Sequence, residues 1–523
     1  VTLANVFGTS SGSTRVCCSD TSHNQKVGNY VYFTSTATFN AVSLSTNVYP
    51  IVSVDSTNVF TISVTDAANA TASDVGSATF NYLLPTGNSI ATGGLGYGAA
   101  AFQATVCASQ TRAWNEAASA DASDIVFDIS QWSLDNWGDD VVANRSGGNI
   151  YYFESDASTV PIRATSVTSS PVSVNSIVVS PNDRHLICLG ANSYNATSTV
   201  NGPFDPMLVR WSDQDDRTNW VPSLTTTSGE VVLTDGTKII GGLRSRNAIH
   251  IWTDNAMWTM QFVGPPFTFR FTPAGTNCGM IAQHAAVDYN GISYWMGYDN
   301  FYKYDGQVRV LDCTVRRFIF DRLATKYKAK VYTGVNSEFK EIIWLYASDE
   351  SGVTECDSYV IFSPENNYWT YGTGVFTTFA DKEVFGNTIT TGVSINADGS
   401  STGNNKLFNN EPADYYTENN RTITSFVESA DFDIEDGNQV LFMNRLIPDF
   451  DLNTGKLKVK IITKKYPESN EEITKEFDIT QQTDKINFRA RGRQAKIRVS
   501  CSSQGASWQW GSVRLGFQGD GQR

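Results

Sequence analysis

Carboxylates concentrate in one short segment that is bounded by two tryptophans. Asp213 and Asp215 lie between Trp211 and Trp220, and Ser212 precedes the first of them. Pairs of carboxylates are the groups with which most glycosidases cleave sugar linkages, one as acid and the other as nucleophile or base. The segment is therefore the candidate for glycan hydrolysis, and alanine variants of Asp213 and Asp215 would test it.

The same segment also has a structural interpretation. Arg210 to Trp220 resembles the Asp-box hairpin of sialidase-type β-propellers, in which acidic and hydroxyl side chains bind turn amides while the tryptophan packs beneath. Asp216 departs from the usual glycine of that box. A sialidase would also need an arginine cluster and a tyrosine nucleophile paired with an acid, and no local signature assigns them. No catalytic residue is therefore assigned, and a structural hairpin is predicted for Trp211, Ser212, Asp213, Asp215 and Trp220.

Patterns that could hold a metal or a cofactor are weak. Residues 431–437 alternate carboxylates before Gly437, but this glycine comes one position too late for an EF-hand calcium loop. None of the four histidines has a second histidine or a cysteine at ligand spacing, and His185 and His250 fall inside strand patterns. The sequence predicts neither a metal nor a cofactor.

Cations concentrate near the end of the chain. Residues 440–523 contain 15 basic and 9 acidic side chains, so they carry +6 while residues 1–439 carry −20. The cluster is made of Lys456, Lys458, Lys460, Lys464, Lys465, Arg489, Arg491, Arg493, Lys496 and Arg498. It has two interpretations, the solvated face of a sheet and an interface that seats against an acidic neighbouring subunit. The candidate interface residues are Lys456, Lys458, Lys460, Arg489, Arg491 and Arg493.

Composition excludes several classes of protein. Among 523 residues, 41% hydrophobic and 12% aromatic side chains exclude disorder, and 18% charged residues is low for a coiled coil. A net charge of −14 argues against a general nucleic-acid binder. The eight cysteines contain no C-x-x-C, so we expect reduced, mostly buried thiols. Neither a signal peptide nor a membrane span is predicted, and the start at Val1 without methionine predicts that an N-terminal piece was removed or left out.

Strand patterns divide the chain into four predicted regions. Residues 1–100 predict a small β-barrel or sandwich, with a hairpin turn at Asp55–Asn58. In residues 101–375 aromatic strands recur near positions 150, 186, 249, 292 and 342, a spacing typical of β-propeller blades. Residues 376–420 are predicted to be loop-rich, and 421–523 to form a β-sandwich. The predicted fold class is thus all-β, a β-propeller of five recognisable blades with an N-terminal small β insertion and a C-terminal β-sandwich.

Two features inside the predicted propeller have local interpretations. Thr314–Lys328 is the best helical candidate in the chain. Tryptophans recur at blade-like spacing, either as platforms that stack on sugars or as core packing between blades: Trp132, Trp137, Trp211, Trp220, Trp252, Trp295 and Trp369.

Several phrases together resemble one protein family. They are Gln131–Gly138 followed by Gly147–Tyr152, Arg210–Asp213, Ile447–Phe450 with Thr454-Gly455, and Arg489–Gln494. These phrases are similar to the tail nozzle, or tail hub, proteins of short-tailed bacteriophages. Val27–Val31 and Tyr49–Val54 also resemble a small β insertion of such virion proteins.

The resemblance implies a structural virion protein without enzymatic activity. Its subunits would form a sixfold ring below the portal and the tail adaptor, prolong the DNA channel, retain the packaged DNA and open at infection. Expected partners are further copies of the chain, adaptor and portal-proximal proteins, tail fibres or a needle, and genomic DNA that passes without sequence-specific binding. The expected location is the phage tail, assembled in the host cytoplasm, and no residue is assigned to the gate. The alternatives are a carbohydrate-binding or glycan-cleaving propeller in host recognition, and a monomeric scaffold propeller.

Overall fold

The computed structural model describes residues 2–21, 23, 25, 27, 29–83, 90–92, 126–129, 131–155, 164–197, 201–350, 353–382, 386–395, 401–410, 417–418, 421–422, 424–434, 438–466, 469–470, 472–503 and 505–521. Regular structure in these ranges is nearly all β-strand, so the all-β prediction is confirmed; the helices are the α-helix Arg316–Phe320 and the 3₁₀ helix Thr325–Lys330. No helix in these ranges is long and apolar enough to cross a bilayer. The chain divides into two compact units, Val1–Val335 with Lys340–Gly372 and Asn336–Phe339 with Thr373–Arg523.

Six strands at the start of the first unit form a closed barrel. Aromatic side chains fill its interior, and Phe7, Phe33, Phe60 and Phe80 are almost completely buried because successive residues of a strand face opposite sides. The turn predicted at Asp55–Asn58 joins two of these strands. In order around the barrel, the strands are Thr2–Thr9, Arg15–Ser19, Val59–Ser63, Val48–Ser56, Tyr30–Phe33 and Ala72–Leu83, with a separate hairpin of Ala37–Phe39 and Val42–Leu44.

The rest of the first unit contains five antiparallel sheets of four strands, each a meander in chain order. The first sheet is Trp132–Trp137, Asp140–Arg145, Ile150–Phe153 and Thr165–Ser166; the second is Val174–Val179, Leu186–Asn192, Phe204–Trp211 and Gly229–Val232. The third is Ile239–Arg244, Ile249–Thr253, Ala256–Gly264 and Thr268–Thr276; the fourth is Ala286–Tyr289, Ile292–Met296, Phe301–Tyr304 and Val308–Val310. The fifth is Tyr332–Asn336, Glu341–Tyr346, Ser358–Ser363 and Tyr368–Thr373, and a two-stranded sheet pairs Ile90–Thr92 with Val126–Ile129.

The first strands of successive sheets contact each other from the first sheet to the fourth. Between the first two, the Asp135 carboxylate accepts the N–H of Val179 at 2.7 Å. His284, which precedes the fourth sheet, forms a parallel bridge with Tyr332 in the fifth. The same histidine donates Nε2–H to the carbonyl of Trp132 in the first sheet, at 2.9 Å. The series of sheets therefore returns to its starting point.

A further bond joins the two ends of the series. The Gln131 side chain, at the start of the first sheet, donates to the carbonyl of Ala329 at 2.5 Å, just before the fifth sheet begins. A second contact connects the barrel with the first sheet, because the Arg145 guanidinium donates to the Asn29 side chain at 2.6 Å. The barrel and the first sheet are thus joined by a charge-assisted hydrogen bond.

Most positions in the second strands of the second to fifth sheets are buried. Leu186–Asn192 and Ile249–Thr253 are buried at every position. A strand with a neighbour on each side and packed sheets on both faces reads as a nearly continuous apolar run. This is why the aromatic and aliphatic runs near 186, 249, 292 and 342 mark four of the five sheets in the sequence.

The helix predicted for Thr314–Lys328 is present in part, as two short helices instead of one. The α-helix covers only Arg316–Phe320, and a 3₁₀ helix begins at Thr325. Between them, Ala324 donates its N–H to the carbonyl of Ala347 at 2.9 Å and Leu323 forms a β-bridge with Ser348. Bonding to a neighbouring strand therefore replaces the helical bonds that local propensity favours.

Two sheets of the second unit share one apolar core. The strand Gln494–Cys501 alternates between buried and half-buried side chains and Ile486–Gly492 between buried and exposed ones, so each sheet turns one face to the core. The four-stranded sheet has the order Ser425–Glu428, Gln494–Cys501, Leu457–Lys464 and Glu472–Ile479, and the three-stranded sheet has the order Ile486–Gly492, Leu441–Ile447 and Arg514–Gly519. Short pairs are formed by Phe450–Leu452 with Trp508–Trp510 and by Thr417–Glu418 with Arg421–Thr422.

The region 376–420 was predicted to be loop-rich, yet its described part contains a three-stranded sheet. Its strands are Phe376–Ala380, Ile389–Ile395 and Ser401–Asn409. The last two are rich in Thr, Ser and Asn, so they lack the apolar runs that identify strands elsewhere. The division of the chain into four domains stays a prediction.

Most cysteines of the described ranges are free thiols: Cys18, Cys188, Cys278, Cys313, Cys356 and Cys501. Burial raises the pKa of the Cys18 and Cys188 thiols, which makes them poor nucleophiles. Cys17 is disulfide-bonded, so the prediction of reduced cysteines is wrong at this position. Cys18 beside it remains a free thiol, in agreement with the poor geometry of a bond between adjacent cysteines.

Candidate functional site

The Asp-box-like segment is the loop that follows the third strand of the second sheet. That strand ends at Trp211, and a bridge between Asp213 and Asp216 tightens the loop. The N–H of Asp213 also donates to the carbonyl of Asn219 at 2.8 Å. Asp215 has a φ of 56°, in the left-handed region that aspartate tolerates better than most residues. Short-range bonding therefore fixes the loop.

The Asp213 carboxylate is the centre of this bonding. It accepts the N–H and the hydroxyl of Thr227 at 2.7 and 2.6 Å, the N–H of Gln214 at 3.0 Å and the side-chain amide of Asn219 at 3.2 Å. Burial on its own would raise the pKa of Asp213, but these hydrogen bonds outweigh it and hold the pKa below its ordinary value. A carboxylate held ionised in this way is a poor general acid at neutral pH.

The other two carboxylates of the loop also serve its structure. Asp215 pairs with Arg184 at 3.0 Å, and both side chains are more than half exposed. Asp216 accepts the N–H and the hydroxyl of Thr218 at 2.8 and 2.6 Å, the bonding of an Asx turn. All three carboxylates are therefore engaged in hydrogen bonds or in an ion pair. None of them remains unbonded as the acid or the base of a catalytic pair.

The tryptophans and the serine anchor the loop from beneath. The indole N–H groups of Trp211 and Trp220 donate to the carbonyls of Thr227 and Arg217, each at 2.8 Å. The Ser212 hydroxyl accepts the N–H of Leu186 at 3.0 Å. The structure thus brings the predicted hairpin residues together, with both tryptophans buried.

Burial also bears on the other tryptophans that were considered as sugar platforms. Trp137, Trp252 and Trp295 are buried, and the rings of Trp252 and Trp295 pack at 5.4 Å between the third and fourth sheets. Buried rings are not available for stacking on a sugar. Trp132 and Trp369 are half-buried.

Arg210 begins the Asp-box-like segment in the sequence but had no predicted role of its own, and the structure makes it a buried anchor. Its side chain is 1% exposed and donates to the carbonyls of Asn192 and Trp220 at 3.0 and 3.2 Å and to the side chain of Asn201 at 3.1 Å. Burial lowers the pKa of the guanidinium. Three acceptors on separate segments are therefore connected through one buried cation. An arginine directly before the Trp-Ser-Asp phrase was the available signal.

A chain of buried and half-buried polar groups leads from this loop towards the second sheet. His185 contacts Asp183 through Nδ1 and the Thr227 hydroxyl through Nε2, the latter at 3.0 Å, and Thr227 in turn donates to Asp213. His185 is fully buried, and its ring packs against Phe269 at 5.0 Å. Buried polar groups of this kind are retained when each finds a partner. His185 was predicted to lie inside a strand, but it directly precedes the strand Leu186–Asn192, and no sequence signal marked Thr227.

We expect Asp213→Asn to lower the free energy of unfolding by about 2 kcal/mol, because the substitution removes the charge that four donors share. Asp215→Asn is the matched control and should cost less than about 0.5 kcal/mol, since its ion pair is exposed. Urea unfolding measures both values. The Asp213 carboxylate has a lowered pKa when folded, so its contribution is present above the unfolded pKa and is lost as pH falls through the folded pKa. Equal costs for the two variants would contradict the assignment.

The predicted interface residues fall on two different sheets. Lys458 and Lys460 project from the outer face of the four-stranded sheet, where Lys460 lies directly opposite Arg498 on one side and Glu476 on the other. Glu476 accepts bonds from Lys458 at 2.6 Å and Lys460 at 3.3 Å. We call Lys456, Lys458, Lys460, Lys496 and Arg498 the lysine face.

The remaining cations of the lysine face are also paired. Lys456 contacts Asp478 at 3.6 Å, and Lys496 and Arg498 both contact Glu428, at 3.0 and 3.4 Å. The cations lie on or beside the two inner strands and the carboxylates on the two outer strands, and each cation is paired with a carboxylate. This arrangement is typical of a solvated sheet face.

Arginines occupy the outer side of the three-stranded sheet. The exposed residues Arg445, Arg489, Arg491 and Arg514 define what we call the arginine face. Within the described ranges, the carboxylate paired with this face is Asp520, which contacts Arg491. Arg493 lies in the turn between the two sheets, with its guanidinium over the Tyr466 ring at 5.3 Å. The arginine face therefore carries more uncompensated charge than the lysine face.

No metal centre occurs in the part of the chain that the structure describes, since no group of three His, Cys, Asp or Glu side chains converges there. In the calcium-like segment 431–437, Asp431 pairs with Lys464 at 2.7 Å, and residues 435–437 lie outside the described residues.

His250 and Ser293 form a hydrogen bond between the third and fourth sheets at 2.7 Å, and burial lowers the pKa of His250 to about 4. This histidine is neutral at physiological pH and serves packing.

Comparison with known proteins finds remote likenesses among solved structures. No family model matches the chain, and no curated protein matches it. Among solved structures, a phage phi92 endosialidase is 11% identical with a TM-score of 0.18, over 67% of this chain and 47% of that one, so the chain spans about half its length. A Synechocystis apocarotenoid oxygenase is 7% identical with a TM-score of 0.30, over 75% of this chain and 91% of that one. An exo-beta-1,3-galactanase from Phanerochaete chrysosporium is 7% identical with a TM-score of 0.22, over 75% and 97%. Similarity at this level carries no argument about what this chain does.

Proposed function

We propose that the chain is a structural virion protein, a nozzle subunit at the end of a short phage tail. In this proposal the five meander sheets are the blades of a β-propeller, the barrel is an insertion ahead of it, and the second unit is a β-sandwich. Subunits form a ring, with sixfold symmetry as the resemblance implies. The ring extends the DNA channel, retains packaged DNA and opens for ejection.

The observation that carries the proposal is the return of the five sheets to their starting point through Gln131, Trp132 and His284. A propeller closed within one chain has only short, protected sheet edges and makes a rigid building block. Gln131 and Trp132 open the first of the nozzle-like phrases, and the Arg210–Asp213 phrase forms the buried anchor of the second sheet. Two of the phrases that resemble the family thus contain residues that connect or anchor the sheets.

Two further observations support a structural role over an enzymatic one. The three carboxylates of the Asp-box-like loop are bonded to their own loop or to an exposed arginine. The excess of acid in residues 1–439 suits a channel protein, because a negative surface lets DNA slide without gripping its phosphates. A ring also needs two complementary patches on each subunit, and the acidic residues 1–439 and the arginine face have the required opposite charges.

Native mass spectrometry of the purified full chain tests the proposal. We expect a closed ring of about six copies, since heterologous interfaces close into rings when their rotation allows it. We also expect no glycan turnover, and no change in this on Asp213→Ala or Asp215→Ala. A chain that stays monomeric at every concentration, or turnover that either variant abolishes, would contradict the proposal and return the chain to scaffold or glycan-cleaving propellers.

A further inference from the structure

A basic and aromatic segment lies between the fourth and fifth sheets of the otherwise acidic first unit. Residues 316–330 contain six cations and one acidic residue, Asp321. Lys330 is buried and pairs with Glu355. The other five cations are exposed and define what we call the basic segment: Arg316, Arg317, Arg322, Lys326 and Lys328.

Aromatic rings and neutral oxygens hold most of these cations. Arg322 lies over the Phe318 ring at 4.2 Å, and Lys328 lies over the Tyr298 ring at 4.9 Å. Arg316 donates to the Asp299 carbonyl and the Asn300 side chain, each at 3.1 Å. An aromatic face attracts a cation without cancelling its charge. These cations are therefore positioned and still electrostatically available.

Carboxylate pairing in the basic segment is limited to one exposed contact. Arg317 pairs with Asp321 at 3.3 Å, with side chains that are 92% and 66% exposed, so water screens this pair. Arg316, Arg322, Lys326 and Lys328 form no ion pair within the described ranges. The lysine face of the second unit differs in this respect, since each of its five cations is paired with Glu476, Asp478 or Glu428.

Two of the cations converge on one turn of the fourth sheet. Arg316 and Lys328 contact residues of the turn between Ile292–Met296 and Phe301–Tyr304, one at Asn300 and the other at Tyr298. Arg322 follows the short helix, and its carbonyl accepts the N–H of Asp349 at 2.7 Å. The chain thus presents several fixed positive charges beside a partly exposed tyrosine ring, which suits a ligand with repeated negative charges.

We propose that the basic segment binds the phosphodiester backbone of double-stranded DNA. The choice of DNA over an acidic protein surface rests on the proposed function. The side chains are held against rings and oxygens of their own chain, so they contact phosphates and do not read base edges. Because the rest of the chain is acidic, the contact is weak, salt-dependent and independent of sequence, which lets DNA move past it.

The test is fluorescence anisotropy of the full chain with a labelled random-sequence duplex of about 30 base pairs, titrated between about 50 and 200 mM salt. Arg322→Gln with Lys328→Gln should lower the affinity about tenfold and reduce the salt slope by about 2. The matched control, Lys458→Gln with Lys460→Gln, removes the same charge from the lysine face and should change the affinity less than about twofold. Arg322→Lys with Lys328→Arg should retain binding, which separates lost charge from lost folding.

Three outcomes would overturn the assignment. They are equal losses in the two Gln pairs, no salt-dependent binding at the lowest salt, and a Gln pair that changes the mass of the assembly while DNA affinity stays constant. The last result would make the basic segment a subunit interface. Failure of the proposed function is distinguishable, because absence of the chain from phage tails leaves the binding assay unaffected.

Discussion

Arg210→Met is expected to lower the free energy of unfolding by about 3 to 5 kcal/mol. Methionine fills a similar length but donates no hydrogen bond, so the carbonyls of Asn192 and Trp220 and the side chain of Asn201 lose the donors that the guanidinium supplies. These acceptors come from the second strand of the second sheet and from the loops on either side of the third. The substitution should therefore destabilise the second sheet at more than one strand. Chemical denaturation of the full chain, followed by tryptophan fluorescence, measures the change because Trp211 and Trp220 lie beside the site.

Arg184→Met is the matched control for this experiment. Arg184 lies shortly before the second strand of the same sheet and pairs with Asp215, but both side chains are more than half exposed. The control should therefore change the free energy of unfolding by less than about 1 kcal/mol. If both substitutions cost the same, Arg210 does not have the structural role that its burial and bonding indicate.

Reversing the charge of Arg489, Arg491 and Arg493 together is expected to reduce incorporation of the chain into particles by about tenfold or more, because like charges opposed across an interface cost several kcal/mol. Arg489 and Arg491 belong to the exposed arginine face, in which Asp520 pairs with Arg491. An acidic neighbouring subunit would supply the missing carboxylates. Quantitative immunoblotting of purified particles, normalised to a capsid protein, measures the effect.

The lysine face supplies the comparison for this second experiment. Changing Lys456, Lys458 and Lys460 to glutamate reverses the same number of charges on side chains that already have partners in Asp478 and Glu476. We expect a smaller loss of incorporation from this variant. Normal incorporation of the arginine variant would refute the interface assignment, and a larger loss from the lysine variant would move the interface to the other sheet.

Sequence patterns located the strands well where both faces of a strand are buried. Leu186–Asn192 and Ile249–Thr253 read as apolar runs because both of their faces are covered. The first strands were harder to recognise, since Ile239–Arg244 contains two glycines and packs closely against its neighbours. A Cβ at Gly242 would come within 2.5 Å of the Leu189 side chain. Thr-rich strands such as Ile389–Ile395 carry little apolar signal at all.

The sequence reveals those hairpin residues that are neighbours in the chain, but not the partners that reach them from distant positions. Trp211, Ser212 and Asp213 stand together in the chain, so their association is visible as a phrase. Thr227 reaches Asp213 from 14 residues away and His185 reaches Thr227 from 42 residues away, and such pairings depend on the register of three strands. The basic segment has no sequence signal of its own, because its cations lie within a helical pattern at residues 314–328, and the pattern does not show that they are exposed and that, in the described ranges, only Arg317 among them pairs with a carboxylate.

Immunogold electron microscopy of purified phage particles, with an antibody raised against residues 421–523, tests the central claim most directly. The account predicts label confined to the tail tip, where a nozzle ring would lie. Label elsewhere on the particle, or particles without label in a preparation whose lysate contains the chain, would contradict it.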